Sequence, residues 1–251
     1  TKVNLWHSTH IKYLLKNYPS VDDENEPFNK LTTHAFFKTD LQTVSAPNQV
    51  AIQTQFFGLK KKQLKVTGLP RTDILTRNYK SIRKYFSFKN NGQRIIAYMP
   101  THRDSFESAG NPYDLFTRYK FNQKKLEKVL KKHNACLVYL PHYSQNIDKT
   151  MVKQWRESKY LHIQAKRHAL DDFAESLKHI DIMMTDYSGG YLDYLFLNRP
   201  IIFTPFDLEF YSKNCSGLAF KYDQVTPGPK AKDWNEVCSH LDKILEGNID
   251  T

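Results

Sequence analysis

An α/β fold built on a parallel, Rossmann-like sheet is predicted from three features of the sequence. Short apolar runs recur at Arg94–Met99, Cys136–Leu140, Tyr160–Ile163, Asp181–Met184 and Ile201–Thr204. The segments between them have helical apolar spacing, and alternation of strand and helix is the mark of βαβ units. Polar, chemically capable residues follow the runs, where an open parallel sheet binds its ligands.

The clearest helix spans Asn122–His133, with Asn122 as cap and Leu126, Val129 and Leu130 on one face. Earlier in the chain, Val3–Trp6, Leu41–Val44 and Leu64–Thr67 read as short strands. Ile11–Asn17 has helical spacing, and Ser20–Lys30 reads as a polar surface loop. A further helix is expected after Ser45, with Ser45 as N-cap, Pro47 in its first turn and Gly58 at its end. The turn-rich segment Ser87–Gln93 is the best boundary. It separates residues 1–90, too poor in elements for an equivalent domain, from a Rossmann-like unit at 91–251.

Composition narrows the class. With 251 residues, 40% hydrophobic and 25% charged, the chain suits a soluble globular protein with a sizeable core. No apolar run approaches the ~20 residues of a membrane span. Cys136, Cys215 and Cys238 are scattered and odd in number, as expected of reduced thiols in a cytoplasmic protein. The net charge of +11 points to a polyanionic partner: nucleic acid, an anionic membrane face, or a phosphate-rich substrate or product. No nucleic-acid-binding motif accompanies it. The lysine cluster at Lys124-Lys125 to Lys131-Lys132 lies on a helix, where a solvated face is the simpler account.

The segment Asp181–Tyr211 organises the site. Its hydroxyl- and glycine-rich turn, Thr185-Asp186-Tyr187-Ser188-Gly189-Gly190, sits between a strand and a helix, a place that favours phosphate. Pro100-Thr101-His102-Arg103 and Pro141-His142 follow two other strands, and Gln164-Ala165-Lys166-Arg167 a third. Together they suit a nucleotide diphosphate, with Arg103 forked onto phosphate oxygens, Ser188 and backbone amides cradling them, and His142 hydrogen-bonding or protonating the leaving group. Plainer roles stand beside these. Arg103 can instead be a surface partner of Asp104 or Asp114, Asp186 a helix cap, Asp193 a buried anchor, and Tyr187, Tyr191 and Tyr194 core. The ten histidines lack HxxxH or CxxC spacing with a supporting third ligand, so the mix does not suit a zinc site; no cofactor is expected.

Several ordered motifs carry a family resemblance. Trp6-His7-Ser8-Thr9-His10-Ile11-Lys12 resembles the W-H-G-T-P-L-K motif of the CDP-glycerol glycerophosphotransferase family, which makes teichoic acids and related capsule polymers. Gly68-Leu69-Pro70-Arg71-Thr72-Asp73 is similar to G-x-P-R-N-D, and Met99-Pro100-Thr101-His102-Arg103-Asp104 to A-P-T-W-R-D. Leu140-Pro141-His142-Tyr143 resembles the segment with the second family histidine, and Thr185-Asp186-Tyr187-Ser188-Gly189 with Leu192-Asp193-Tyr194 resembles T-D-Y-S-S-x-x-F-D-Y.

The resemblance implies a GT-B-like fold with a carboxyl-terminal donor domain and a partial acceptor-side segment, most of the acceptor domain lying outside this chain. It implies metal-independent transfer of glycerol phosphate or ribitol phosphate from a CDP-polyol to a lipid-linked or polymeric acceptor, releasing CMP. The setting it implies is the cytoplasmic face of the cell membrane. His7 would be the general base, and His142 and Arg103 would steady the departing phosphate. Arg71, Pro100, Thr101, Pro141, Thr185, Ser188, Gly189 and Asp193 would line the donor site. The chain departs from the motifs at Ser8, His10, His102 and Gly189, which bear on donor and acceptor identity. A glycosyltransferase using a CMP- or UDP-sugar and a non-enzymatic nucleic-acid-binding module are the alternatives.

Overall fold

The computed structural model describes residues 1–6, 9, 11–12, 39–77, 85–86, 88, 91–103, 113–142, 147, 149–164, 173–215 and 217–248. Two parallel sheets organise them. The first has the order β1-β2-β3, from β1 (Val3–Asn4), β2 (Leu41–Val44) and β3 (Leu64–Val66). Helix α1 (Asn48–Phe57) joins β2 to β3 and closes a small apolar cluster of Trp6, Val44, Phe57, Leu59, Leu64 and Leu69. The helix stops at Gly58, whose φ of 65° is the left-handed conformation that glycine adopts without steric cost. Ser45 is not its cap. Pro47 occupies the N-cap with no side-chain hydrogen bond, and the Ser45 hydroxyl instead accepts from the Thr9 hydroxyl at 2.9 Å. Helix α2 (Pro70–Thr76) follows, with proline in the first turn.

The second sheet holds β4 (Arg94–Met99), β5 (Ala135–Tyr139), β6 (Leu161–Ile163), β7 (Ile182–Thr185) and β8 (Ile201–Phe203), all parallel in the order β6-β5-β4-β7-β8. The helices between its strands are α3 (Gln123–Lys132), α4 (Lys149–Arg156), α5 (Phe173–Leu177) and α6 (Gly190–Tyr194). Three more, α7 (Leu208–Asn214), α8 (Tyr222–Val225) and α9 (Trp234–Leu245), come after β8. Asn122 caps α3 by accepting the Lys125 N–H at 3.0 Å, an interaction typically worth about 1 kcal/mol. Asp181 lies just before β7 rather than in it, and its carboxylate accepts the Ile95 N–H at 2.7 Å.

Both faces of this sheet are covered, which is why its strands read as continuous apolar runs. Ile96 and Tyr98 of β4 face Leu126 and Leu130 of α3 and Trp234, Val237 and Leu241 of α9. Ile95, Ala97 and Met99 face the opposite cluster, with Leu177 of α5 and Tyr191 and Tyr194 of α6. A buried leucine or isoleucine contributes about 1.5–3 kcal/mol relative to exposure, so these two layers dominate the stability of the unit.

The first segment is stitched to this second core. Ile11 is buried in the second cluster, its carbonyl accepts the Ala219 N–H at 3.0 Å, and Lys12 bridges Leu218. Ile11 lies in a bend and Lys12 in a β-bridge, so neither starts a helix. The rest of that expected helix, 13–17, and the expected loop at 20–30 lie outside the described residues. Leu75 of α2 also packs into the second cluster.

Candidate active site at the switch point of the sheet

The chain runs from β4 outward through β5 to β6, then returns to lay β7 against the other side of β4. The connections leaving β4 and β7 therefore run to opposite sides, the switch point at which open parallel sheets form a crevice at the carboxyl ends of their strands. Its lips are Pro100-Thr101-His102-Arg103 after β4 and Asp186-Tyr187-Ser188-Gly189 after β7. One carboxylate sets their spacing. Asp186 Oδ1 accepts the N–H of Thr101 at 2.8 Å and that of Tyr187 at 2.5 Å. Below them the Thr185 hydroxyl donates to the Met99 carbonyl at 2.8 Å. Pro100 and Thr101 are buried, and Thr101 Oγ1 has no hydrogen-bond partner among the described residues, which makes it a polar atom suited to a ligand.

Arg103 stands elsewhere than the sequence places it. Its side chain is 1% exposed, turned away from solvent into a buried charge cluster. Nε and Nη2 fork onto Asp207 at 2.8 Å each, Nη2 also donates to Asp186 Oδ2 at 2.8 Å, and Nη1 donates to the Thr101 carbonyl. Rings of Tyr113, Tyr187 and Tyr211 lie 5.0–5.5 Å from the guanidinium carbon. The Tyr187 hydroxyl donates to Asp207 Oδ1 at 2.9 Å. Arg103 is therefore neither a fork on substrate phosphate nor a surface partner of Asp114: the nearer carboxylates have taken its donors. Burial alone would raise the Asp207 pKa, but the hydrogen bonds and charge of Arg103 outweigh it and hold the carboxyl below its usual range. Asp207 is the residue sequence reasoning missed. It follows β8 as closely as the other candidates follow their strands, so the same strand-end rule applied to the last strand would have found it.

The Ser188-Gly189 turn leads into α6, which is five residues long. A helix this short has too few aligned peptides for a useful macrodipole, so the anion preference expected from the dipole is not supported. Nor does Asp186 cap it, since α6 has no side-chain cap; the Ser188 hydroxyl accepts the Gly190 N–H at 3.2 Å. The Ser188 and Gly189 N–H groups have no acceptor among the described residues. Gly189 lies against the first segment: a Cβ built there would come 2.9 Å from the Thr9 carbonyl oxygen, closer than real Cβ atoms tolerate. Glycine lets the two loops touch. Asp193, 2% exposed, is an ion-pair partner of Arg71 from α2, so these two candidates meet each other. Tyr187, Tyr191 and Tyr194 are fully buried core residues.

Pro141 is buried at the end of β5, and half-buried His142 follows it. The His142 ring lies against that of His102, centroids 5.0 Å apart and planes inclined by 25°. Thr101, His142 and Ser188 thus come from three strand ends to one edge of the sheet. After β6, Gln164 donates to the Tyr85 carbonyl at 2.7 Å, a structural bond. His7, Asp104, Tyr143, Lys166 and Arg167 lie outside the described residues.

A few of the surface lysines are paired. Lys120 meets Asp233, and Lys132 bridges Asp242 and Glu246 from α9. Among the described residues one group has metal-ligand composition, His133, Asp242 and Glu246. It lies at the opposite edge of the sheet, before β5, and the Lys132 ammonium already sits between its carboxylates.

A doubly covered parallel sheet with a switch-point crevice, beside a second parallel sheet, defines a GT-B-like α/β protein. The chain belongs to the CDP-glycerol:poly(glycerophosphate) glycerophosphotransferase family, whose sequence profile matches residues 1–251. It is 31% identical over 263 residues to a teichoic acid poly(glycerol phosphate) polymerase of Bacillus spizizenii, covering 97% of this chain and 61% of that protein. It is 31% identical over 247 residues to a teichoic acid glycerol-phosphate primase of Bacillus subtilis, covering 95% and 58%. The fold matches the solved wall teichoic acid polymerase TagF with a TM-score of 0.71 at 20% identity, over 97% of this chain and 60% of that one. That polymerase has also been solved, as a variant, after soaking with CDPG. The chain spans about three-fifths of the length of these relatives.

Proposed function

We propose that this chain carries the donor site of a polyol-phosphate transferase, which moves glycerol phosphate or ribitol phosphate from a CDP-polyol to a hydroxyl of a growing polymer and releases CMP. The observation that carries the reading is that Thr101, His142 and the Ser188-Gly189 turn follow three neighbouring strands at the switch point of the sheet, in a chain of this family. Attack at phosphorus asks the protein chiefly for positioning and for stabilisation of charge. Ser188 and the free amides of its turn would hold the diphosphate, and the unpartnered Thr101 hydroxyl would take a further polar atom of the donor. His142 would hydrogen-bond or protonate the departing phosphate. His7, by family resemblance, would take the proton of the acceptor hydroxyl.

Arg103 is reassigned from ligand to scaffold, and the Arg71–Asp193 pair would brace the turn from the first segment. Pro100, Pro141 and Thr185 would shape the crevice without donating to the ligand. No metal or cofactor is assigned to the reaction. The acceptor would be lipid-linked or polymeric at the cytoplasmic membrane face, where net charge of +11 favours anionic lipid and polyphosphate product. Among the described residues no helix is long and apolar enough to cross a membrane, which fits a peripheral placement.

Full-length protein incubated with a lipid-linked primer should release CMP from CDP-glycerol or CDP-ribitol but not from nucleotide sugars, with or without EDTA. No release from either CDP-polyol would sink the reading. His7→Ala and His142→Ala should each cut turnover by about two to four orders of magnitude while the protein still folds; near-wild-type rates would remove their roles.

A further inference from the structure

Both backbone groups of Thr101 are taken by one buried ion pair. Its N–H donates to Asp186 Oδ1 at 2.8 Å, and its carbonyl accepts from Arg103 Nη1. Arg103 Nη2 donates to the other Asp186 oxygen at 2.8 Å, which closes a ring of hydrogen bonds through residues 101, 103 and 186. The pair is itself firmly seated. Asp186 is fully buried, its carbonyl accepts the Tyr222 hydroxyl at 3.0 Å, and Arg103 also forks onto Asp207. Thr101, 9% exposed, keeps only its hydroxyl, which has no partner among the described residues. A buried hydroxyl left unpaired costs stability, so the fold gains nothing from it until a ligand arrives.

We propose that Asp186, with Arg103, is a positioning residue that holds the Thr101 backbone so that its hydroxyl meets a polar atom of the CDP-polyol without rearrangement. A ring that uses both backbone groups of a residue and none of its side chain preorganises that side chain. The task needs a carboxylate. Oδ1 accepts the Thr101 and Tyr187 N–H groups while Oδ2 accepts the guanidinium, and asparagine has one oxygen for both sides. The ligand in this inference rests on the transferase reading; the hold on Thr101 does not.

The two can be tested apart in full-length protein. Asp186→Asn should weaken CDP-glycerol binding, read by calorimetry, by about tenfold, and so should Thr101→Val, which removes the hydroxyl and keeps the shape. Thr101→Ser, which keeps the hydroxyl, should bind within about threefold of wild type. In the Thr101→Val background Asp186→Asn should cost less than about threefold, because the group it positions is gone. Losses that multiply in full would show that Asp186 does not act through Thr101. If the asparagine variant does not fold, Arg103→Lys keeps the charge, loses the fork and enters the same cycle with the same outcomes expected. Without ligand, the wild-type Thr101 amide should exchange its hydrogen as slowly as Ile96 and Tyr98 within β4. Asp186→Asn should speed it at least about tenfold more than those two, whereas general loosening would speed all three alike. A wild type that binds no CDP-glycerol sinks the transferase reading instead. Exchange then decides the positioning role on its own, and a wild-type Thr101 amide as fast as an open one overturns it.

Discussion

Two stretches of the same sheet edge carry similar residues to opposite ends. Where β7 and β8 end, Arg103, Asp186, Asp207 and three tyrosines form a sealed cluster in which the donors of the cation are matched by acceptors. Where β4 and β5 end, His102 and His142 are half-buried and Thr101 Oγ1 is unmatched. A charged or polar residue at a strand's carboxyl end is therefore no ligand by position alone. What separates the sealed cation from Thr101 Oγ1 is whether groups of the protein itself have taken up the hydrogen bonds.

The sharpest way to break this contrast is Arg103→Met. It removes the cation and strands two buried carboxylates, so it should destabilise by about 3–5 kcal/mol, measured by urea unfolding. A loss under about 1 kcal/mol would mean that the cluster is not the scaffold it looks to be. Gly189→Ala probes the seam between the turn and Thr9. The added methyl meets a backbone oxygen, which cannot swing aside as a side-chain tip can, and an overpacking cost of about 1–3 kcal/mol is expected. An unchanged melting curve would show that the loops separate freely.

The smallest effect expected is one of pH. In the wild type the Asp207 pKa is lower in the folded state than in the unfolded chain. Its contribution to stability is complete above the unfolded value of about 3.9 and is lost as pH falls through the lower folded value. In Arg103→Met burial acts without the cation, the folded pKa rises above the unfolded one, and the sign reverses. That carboxyl then favours folding below pH ~4 and ceases to as pH rises through its folded value. Unfolding series at pH 3.5 and pH 7 should therefore show a smaller acid penalty in the variant. Parallel pH dependence in the two proteins would contradict the cluster's electrostatics.

The strands of the five-stranded sheet were legible because burial on both faces writes itself into sequence as apolar runs. Arg94–Met99 and Leu41–Val44 match the expected bounds, and the others differ by one or two residues at their ends. Strand ends then located Thr101, His142 and Ser188. The partners of Arg103 were not legible. Asp186 and Asp207 lie 83 and 104 residues away in sequence, so no local spacing announces them, and nearby Asp114 looked an equal choice. Asp114 in fact accepts the Phe116 and Thr117 N–H groups of its own turn. Ser45 failed as a cap for a related reason: a distant hydroxyl, that of Thr9, had claimed it.

The seam formed by Thr9, Ile11 and Lys12 also constrains the order of assembly. These residues leave the ribosome well before Gly189, Leu218 and Ala219, on which they settle. Closing so long a loop costs entropy that only the finished contact repays. The seam of Thr9, Ile11 and Lys12 is therefore expected to close after the five-stranded sheet has formed, which makes its docking a late step in completing the crevice it borders.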